Sequence, residues 1–328
     1  MYGYKIFHPK QMEVLINNAR RGTHSNAYIF EGAAGMYKHE AARLFANALV
    51  CDNQPYAPCG ECKSCAMARA NTHPDIITIP HDTGKDGKLK KTIGIDGMRK
   101  YSADTLVSPF SSRKKVYIIP DGENWTVEGQ NALLKTLEEP PEYVVFIIIV
   151  PTTEVLLPTI ISRSEIISFN PVSTELLSKY IEKTYPNDIH RVNFLCSYSN
   201  GTPGEVDRLI ADAEFEVRRE QTLELLEKLL SHSAQAAFEL ADYMDANNAY
   251  AADIMELWIS YLHDLVKILS GANNRVTNAD KTDKLRKMSQ LCELSDCTSL
   301  LKRLVTGKKM LDKYVKLRAI MLYIALKE

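Results

Sequence analysis

Over its first 170 residues the chain alternates short apolar runs with amphipathic stretches. Between Pro9 and Arg20 apolar residues recur at helical spacing, at Met12, Leu15, Ile16 and Ala19, which predicts a helix. NAYIFEG (26–32) then predicts a strand ending in glycine, and HEAARLFANALVC (39–51) a helix. A Cys-rich insert precedes a second strand, DIITIP (75–80). The polar, Gly/Lys-rich HDTGKDGKLKKT (81–92) is expected to be a mobile loop, and GIDGMRKYSADTLVS (94–108) a helix. KKVYIIPDGENW (114–125) carries a strand with an acid at its C-terminal end, and EGQNALLKTLEEPPE (128–142) a helix stopped by two prolines. YVVFIIIVPTT (143–153) is a strand, TIISR (159–163) a short helix or turn, and SEIISFN (164–170) a last strand.

Near-continuous β-branched runs alternating with helices predict an α/β domain: a parallel sheet covered by helices on both faces. After Pro171 the pattern changes. STELLSKYIEKTY and IHRVNFLCSYS predict short helices, GTPGEVDRLIADA opens on a Gly/Pro turn, and from about Asp212 the chain is helical with no convincing strand. Three domains are expected: α/β over 1–168 with an insert at 51–65, a small helical module over 169–211, and an α-helical domain over 212–328.

Composition narrows the function classes. The 328 residues hold 45% hydrophobic and 25% charged residues, as in an ordinary globular protein. Forty basic residues face 41 acidic ones, so no global field draws the chain to nucleic acid or membrane, although local asymmetry is hidden by the total. The N-terminal MYGYKIFHPKQ lacks the apolar stretch of a signal peptide, and YVVFIIIVP has about half the length needed to cross a bilayer. A cytoplasmic location is the expectation, and with it seven reduced cysteines, which favours metal over disulfide for any cluster.

The stretch EGAAGMYKHE (31–40) half-fills the phosphate-loop frame G-x-x-x-x-G-K-[ST]. Gly32, Gly35 and Lys38 fit a turn between strand and helix. Tyr37 stands where a second glycine belongs, and His39 where a hydroxyl would ligate Mg²⁺. By itself the motif fits a plain strand–turn–helix connection as well as a decayed phosphate loop. VYIIPDGE has a parallel defect, because the paired acids expected at the end of such a strand are reduced to Asp121, with Pro120 in front of it. Two defects in two motifs on the proper elements suggest an ATPase frame without a working metal site.

Cys51, Cys59, Cys62 and Cys65 form C-x₇-C-x₂-C-x₂-C, four thiolates that would close a tetrahedral Zn²⁺ shell and leave no place for a catalytic water. Arg163, in PTIISRS, follows an apolar strand and a polar turn. It is either a solvated, salt-bridged residue or a guanidinium presented to another subunit's γ-phosphate. Plainer expectations cover His73 in THPD as a turn residue, and Arg113, Lys114 and Lys115 as a solvated loop rather than a DNA contact. Trp258 and Tyr261 are expected in the core, and Cys196, Cys292 and Cys297 as small core or surface residues.

Together these residues resemble the bacterial DNA polymerase III clamp-loader family of AAA+ proteins, and within it the delta-prime subunits. The resemblance is carried by HSNAYIFEGAAGMYKHEAARLFANALVC, the four-cysteine insert, THPDI, GIDGMRK, KKVYII, NALLKTLEEPP and LPTIISRS, in family order over about residues 5–170. SNGTPGEVDRLI is similar to the lid's glycine turn, and LDKYVKLRAIMLYIAL is a faint terminal echo. The likeness implies an AAA+ fold, a helical lid and a collar that assembles a five-subunit ring with gamma/tau motor and delta subunits. Such a ring opens the sliding clamp and sets it on primed DNA, using ATP. It further implies that Gly32, Gly35, Lys38 and Asp121 are vestigial, with Tyr37 filling the phosphate's place. ATP and Mg²⁺ are then not bound by this chain, zinc is structural, and Arg163 is an arginine finger acting in trans. The family's Ser-Arg-Cys is here Ser162-Arg163-Ser164. The rival readings are a hydrolysing motor subunit of the same loader and a zinc-dependent nucleic-acid-binding module, with a thiol oxidoreductase as a more distant third.

Overall fold

The structure, a computed structural model, describes residues 7–82, 92–231, 236–272, 276–313 and 315–325. Its centre is set by seven consecutive apolar residues. They form β4 (Val144–Val150), and each is at most 2% exposed. A strand buried on both faces needs neighbours that hide its edges and helices that cover both sides. Around it the chain runs α1 (Pro9–Arg21), β1 (Ala27–Glu31), α2 (Lys38–Val50), α3 (Lys63–Arg69), β2 (Ile76–Thr78), α4 (Ile95–Asp104), β3 (Lys115–Ile119), α5 (Val127–Glu138), then β4, α6 (Pro158–Ile161) and β5 (Glu165–Ser168). The sheet order is β2-β3-β4-β1-β5 and every pairing is parallel, so each strand returns to the same edge through a crossover.

The two faces follow the strand's period of two. Val145, Ile147 and Ile149 join Leu15 of α1 and Phe45 of α2 on one side. Val144, Phe146 and Ile148 join Leu133 of α5 and Trp125 on the other. Local chemistry sets the ends of the helices. Pro9 opens α1, and Gly22, left-handed at φ +69°, closes it. The Thr126 hydroxyl caps α5 by accepting from Gly129 N, and Pro140 and Pro141 follow its end.

THPD is a turn device. His73 Nδ1 accepts from Asp75 N at 3.1 Å, as expected of a turn residue. The buried Asp75 carboxylate accepts from the backbone N–H of Phe110 (2.6 Å), Ser111 (2.8 Å) and Ser112 (2.9 Å), and from both serine hydroxyls. Burial works to raise its pKa, but these donors outweigh it and hold the carboxyl below its usual range. Lys115 departs from expectation. It is 5% exposed at the start of β3, with its ammonium 2.9 Å from Asp104 Oδ2. Its position in a buried strand row captures the stem, and Asp104 captures the tip. The loop expected at 81–92 lies mostly outside the described residues.

The described chain divides into two compact units. One holds Met1–Val172 with Thr202–Gly204, and the other Ser173–Gly201 with Glu205–Glu328. The second is all-helical: α7 (Thr174–Thr184), α8 (Val192–Tyr198), most of α9 (Pro203–Ala211), α10 (Phe215–Leu230), α11 (Ala236–Ala246), α12 (Ala251–Leu269), α13 (Thr282–Met288), α14 (Leu294–Asp312) and α15 (Leu317–Ala325). Its core includes Trp258 and Tyr261, whose polar tips donate to Thr222 O (2.8 Å) and Arg219 O (3.1 Å). Arg219, 1% exposed, makes a two-pronged bond to Asp280 at 2.8 Å each and lies 3.5 Å over the Phe194 ring. Cys196 and Cys297 are buried and Cys292 is half-buried, as small core residues are.

Asp75→Asn is expected to lower unfolding stability by about 2–3 kcal/mol at neutral pH, because charge-assisted bonds to three amides weaken together. A depressed folded pKa contributes stability that is present above the unfolded value of about 3.9 and lost as pH falls through the folded one. The deficit should therefore shrink in urea titrations run at about pH 3. A pH-independent deficit would contradict the carboxylate's role.

Candidate functional site

The loop 32–37 joins β1 to α2 at the C-terminal edge of the sheet, where open α/β folds bind ligands. Gly32 N donates to Val150 O at 3.2 Å, which sets the loop against the end of β4. At φ +153° a Cβ on Gly32 would lie 2.4 Å from Phe169 O, so only glycine fits. Gly35 O accepts from Gly204 N at 2.9 Å. Tyr37 adopts the left-handed conformation, φ 57° and ψ 34°, that a glycine would take there freely. For a residue with a Cβ this costs roughly 1–2 kcal/mol. Its ring stacks on Phe7, with centroids 5.3 Å apart and planes at 24°, a contact that offsets part of the strain.

The turn thus keeps the left-handed backbone that a glycine would favour at position 37, and the loop's lysine is turned inward. Lys38, 7% exposed, donates to Gly32 O and, at 2.7 Å, to Ala33 O. Burial pulls its ammonium below the usual lysine range, against Glu123, which favours the charge. A cleft of about 280 Å³ stays open beside the loop, lined by Gly35, Tyr37, Lys38, His39, Asp121 and Glu123 among others. Tyr37 therefore lines the cleft rather than filling it. Its stacking on Phe7 is the physical reason.

Asp121 sits at the end of β3 as expected and lines the cleft, with Oδ2 3.1 Å from His81 Nε2. The carboxylate that acts on Lys38 is Glu123, which sequence reasoning did not single out. The signal lies in Gly122. A Cβ there would stand 2.6 Å from Val150 Cγ1, so the chain turns tightly over the end of β4 and carries Glu123 back toward the loop. The loop offers no serine or threonine hydroxyl as a Mg²⁺ ligand, since position 39 is an exposed histidine.

Arg163 follows α6, beyond Ser162, and is separate from the cleft lining. Its Nη1 donates to Thr159 O (3.0 Å) and Ser162 Oγ (3.2 Å), and its Nη2 to Glu138 Oε1 (2.9 Å). The side chains of Arg163 and Glu138 are 35% and 52% exposed. Ion pairs of this kind are worth about 0–1 kcal/mol, so the guanidinium is held in place without being committed. Glu138, the first acid of LEEPP, was also missed by sequence reasoning. A contact across 25 residues leaves no local pattern.

The four insert cysteines do converge. Their Sγ atoms all lie within 4.8 Å of one another, with Cys51–Cys62 and Cys59–Cys65 at 3.9 Å. Metal–sulfur bonds of about 2.3 Å in a tetrahedron put sulfurs about 3.8 Å apart, so the set fits one metal. Cys51 ends α2 and Cys62 caps α3. The backbone N–H groups of Cys59, Cys62 and Cys65 donate to sulfur at 3.3–3.5 Å. Burial pushes the Cys51 and Cys65 thiols up, whereas N–H donors from Glu61 and Cys62 bring Cys59 down to about 7. Four thiolates side by side need a cation, and the cluster could hold a structural one.

A family model for the DNA polymerase III delta subunit matches residues 7–173, and one for that subunit's C-terminal part matches residues 214–321. A DNA polymerase III subunit delta' of Bacillus subtilis is 25% identical over 323 residues, covering 97% of this chain and 95% of that one. The chain belongs to the delta-prime family of bacterial clamp-loader subunits. The delta' subunit of Pseudomonas aeruginosa is 29% identical over 232 residues, 70% of this chain and 69% of that protein. A gamma/tau subunit of Mycobacterium bovis is 37% identical over 144 residues, which are 44% of this chain but 24% of that longer protein. Among solved structures, a gamma subunit-related protein of Thermotoga maritima aligns over 96% of this chain and 97% of its own at 18% identity and a TM-score of 0.43. The chain has an α/β core, a five-stranded parallel sheet with helices on both faces, followed by a helical region. No helix among its described residues is long and apolar enough to cross a membrane.

Gly32→Ala should lower the thermal unfolding midpoint by several degrees, because the added methyl must displace Phe169 O or the loop. An unchanged midpoint would show that the loop yields at no cost.

Proposed function

We propose that the chain is a non-hydrolysing member of a clamp-loader ring that completes a neighbour's ATP site with Arg163. One contrast carries this reading: Lys38 is buried and folded onto the carbonyls of its own loop, while Arg163 is a part-exposed side chain held by one surface carboxylate and by two local hydrogen bonds, to Thr159 O and Ser162 Oγ. The first arrangement leaves the cradle without its phosphate donor, and the missing hydroxyl leaves it without a metal ligand. The second leaves a guanidinium that a γ-phosphate, with more charge than Glu138, could draw away. Gly32, Gly35, Lys38 and Asp121 are then remnants, and ATP and Mg²⁺ belong to the adjoining subunits.

In this reading residues 169–211 act as the lid and 212–328 as the collar of a hetero-pentamer with gamma/tau and delta subunits. The ring sets a sliding clamp on primed DNA in the cytoplasm. The resemblance and the gamma/tau and delta' relatives support these partners. The four cysteines hold zinc as a structural ion: a closed shell of four thiolates suits Zn²⁺ and has no open position for chemistry.

Arg163→Ala, in a reconstituted loader, is expected to slow hydrolysis at the adjoining site by roughly 10³-fold or more while the complex elutes unchanged. Wild-type turnover would remove the finger. Elemental analysis of the purified chain should find one zinc per chain, and Cys59→Ser with Cys65→Ser should abolish it and lower the thermal midpoint. A stable, fully folded chain devoid of metal would overturn the zinc assignment.

A further inference from the structure

Arg163 precedes β5 at the N-terminal edge of the sheet, whereas the 32–37 loop lies at the C-terminal edge. At the N-terminal edge, where β1 and β3 begin, a second cleft of about 260 Å³ is lined by Arg20, Arg21, His24, Gln54, Arg113 and Lys114, over a floor that includes Ala19 and Leu49. Three separate stretches build it. α1 ends in Arg20-Arg21 at its Gly22 cap, Arg113-Lys114 lead into β3, and Gln54 comes from the cysteine insert. The insert is tied down at this spot. Gln54 Nε2 donates to Ala48 O, Leu49 O and Cys51 O at 2.8–3.3 Å, and Arg20 Nε donates to Ala57 O at 2.7 Å.

Among the described residues no carboxylate lines this cleft. Lys114 Nζ donates to the backbone oxygen of Glu142 at 2.8 Å, and neither Arg21 nor Arg113 has an ion-pair partner among the described residues. His24 directs Nδ1 at Ser25 O, and its Nε2 is buried without a partner. The nearby Glu165 carboxylate is engaged by the Ser25 hydroxyl. Cations at a helix C-terminus offset the helix dipole, which accounts for Arg20 and Arg21. It does not account for Arg113 and Lys114 converging on the same cleft from another element. Four positive charges gathered around one concavity repel each other, offset at Lys114 by the Glu142 carboxylate, and favour the entry of an anion.

The donor set identifies the anion. Guanidinium forks match phosphate oxygens in two-pronged fashion, and Tyr56, which lies between Gln54 and the Ala57 whose carbonyl Arg20 holds, is 69% exposed. Cations with an adjacent open aromatic face are the pattern by which single strands are held through backbone and base. We infer that this cleft binds the phosphate backbone of single-stranded nucleic acid, at the junction of the cysteine module and the α/β core. The inference rests on the clamp-loader reading only in taking DNA as the source of phosphate.

The test is fluorescence anisotropy of a labelled oligothymidylate with the intact chain across a salt series. Arg21→Glu with Arg113→Glu should weaken binding at least tenfold and reduce the slope of log affinity against log salt by about 1.4, two phosphates' worth. Tyr56→Ala should weaken it by about tenfold with the slope unchanged. A matching thermal midpoint establishes that the variants fold, and Arg21→Ala with Arg113→Ala, expected to lower the slope in the same way, serves if charge reversal does not. Unaltered affinity and slope in the folded variants would overturn the inference. So would a labelled oligoglutamate bound as tightly as the DNA, or displacement by pyrophosphate at equal phosphate concentration, which would assign the cleft to an acidic peptide or a small anion. Loader turnover in Arg163→Ala reports on the other reading, so either can fail alone.

Discussion

The burial of β4 on both faces is the constraint from which the rest of the α/β unit follows. Seven successive side chains at 0–2% exposure leave no room for a polar group along the strand, so chemistry is confined to the two edges of the sheet. At the C-terminal edge lie the 32–37 loop, Asp121 and Glu123. At the N-terminal edge lie His24 and the Arg113-Lys114 pair. Five residues of β1 separate these edges by roughly 17 Å, so two sites of opposite character share one rigid support.

The 32–37 loop shows how packing sets backbone geometry. Its shape is set by packing: Gly32 must pass under Phe169 O, and the turn must reach the start of α2. These demands persist whatever the loop binds, so Tyr37 is held in a left-handed conformation and its ring is placed on Phe7. Lys38 then finds the nearest acceptors, the loop's own carbonyls. A buried ammonium left unpaired would cost several kcal/mol, which makes this self-contact a stable arrangement for a buried lysine. Arg163 differs because it is near water, where its pair with Glu138 is weak and exchangeable.

Much of this was legible in the residue order. Strands and helices of the α/β unit appear near the expected positions because apolar period and stop residues are local signals. Gly22, Thr126 and the Pro140-Pro141 pair act within a few residues of themselves. The four cysteines were legible for the same reason, since metal geometry constrains spacing within fifteen residues. Lys115 was misplaced, because a basic run resembles a solvated loop until a partner such as Asp104 is known.

By itself, then, the sequence determined the alternation of elements, the thiol cluster, the defects at positions 37, 39 and 120, and the family. Each of these depends on interactions between residues close in the chain. Only the tertiary structure decided that Glu123 and Lys38 line one cleft, that Glu138 holds Arg163, that Asp75 anchors residues 110–112, and that cations from positions 20–21 and 113–114 meet in another. Those pairings join segments brought together by the strand order β2-β3-β4-β1-β5. Electrostatic partners are chosen by distance in space, and the residue order carries no record of that distance.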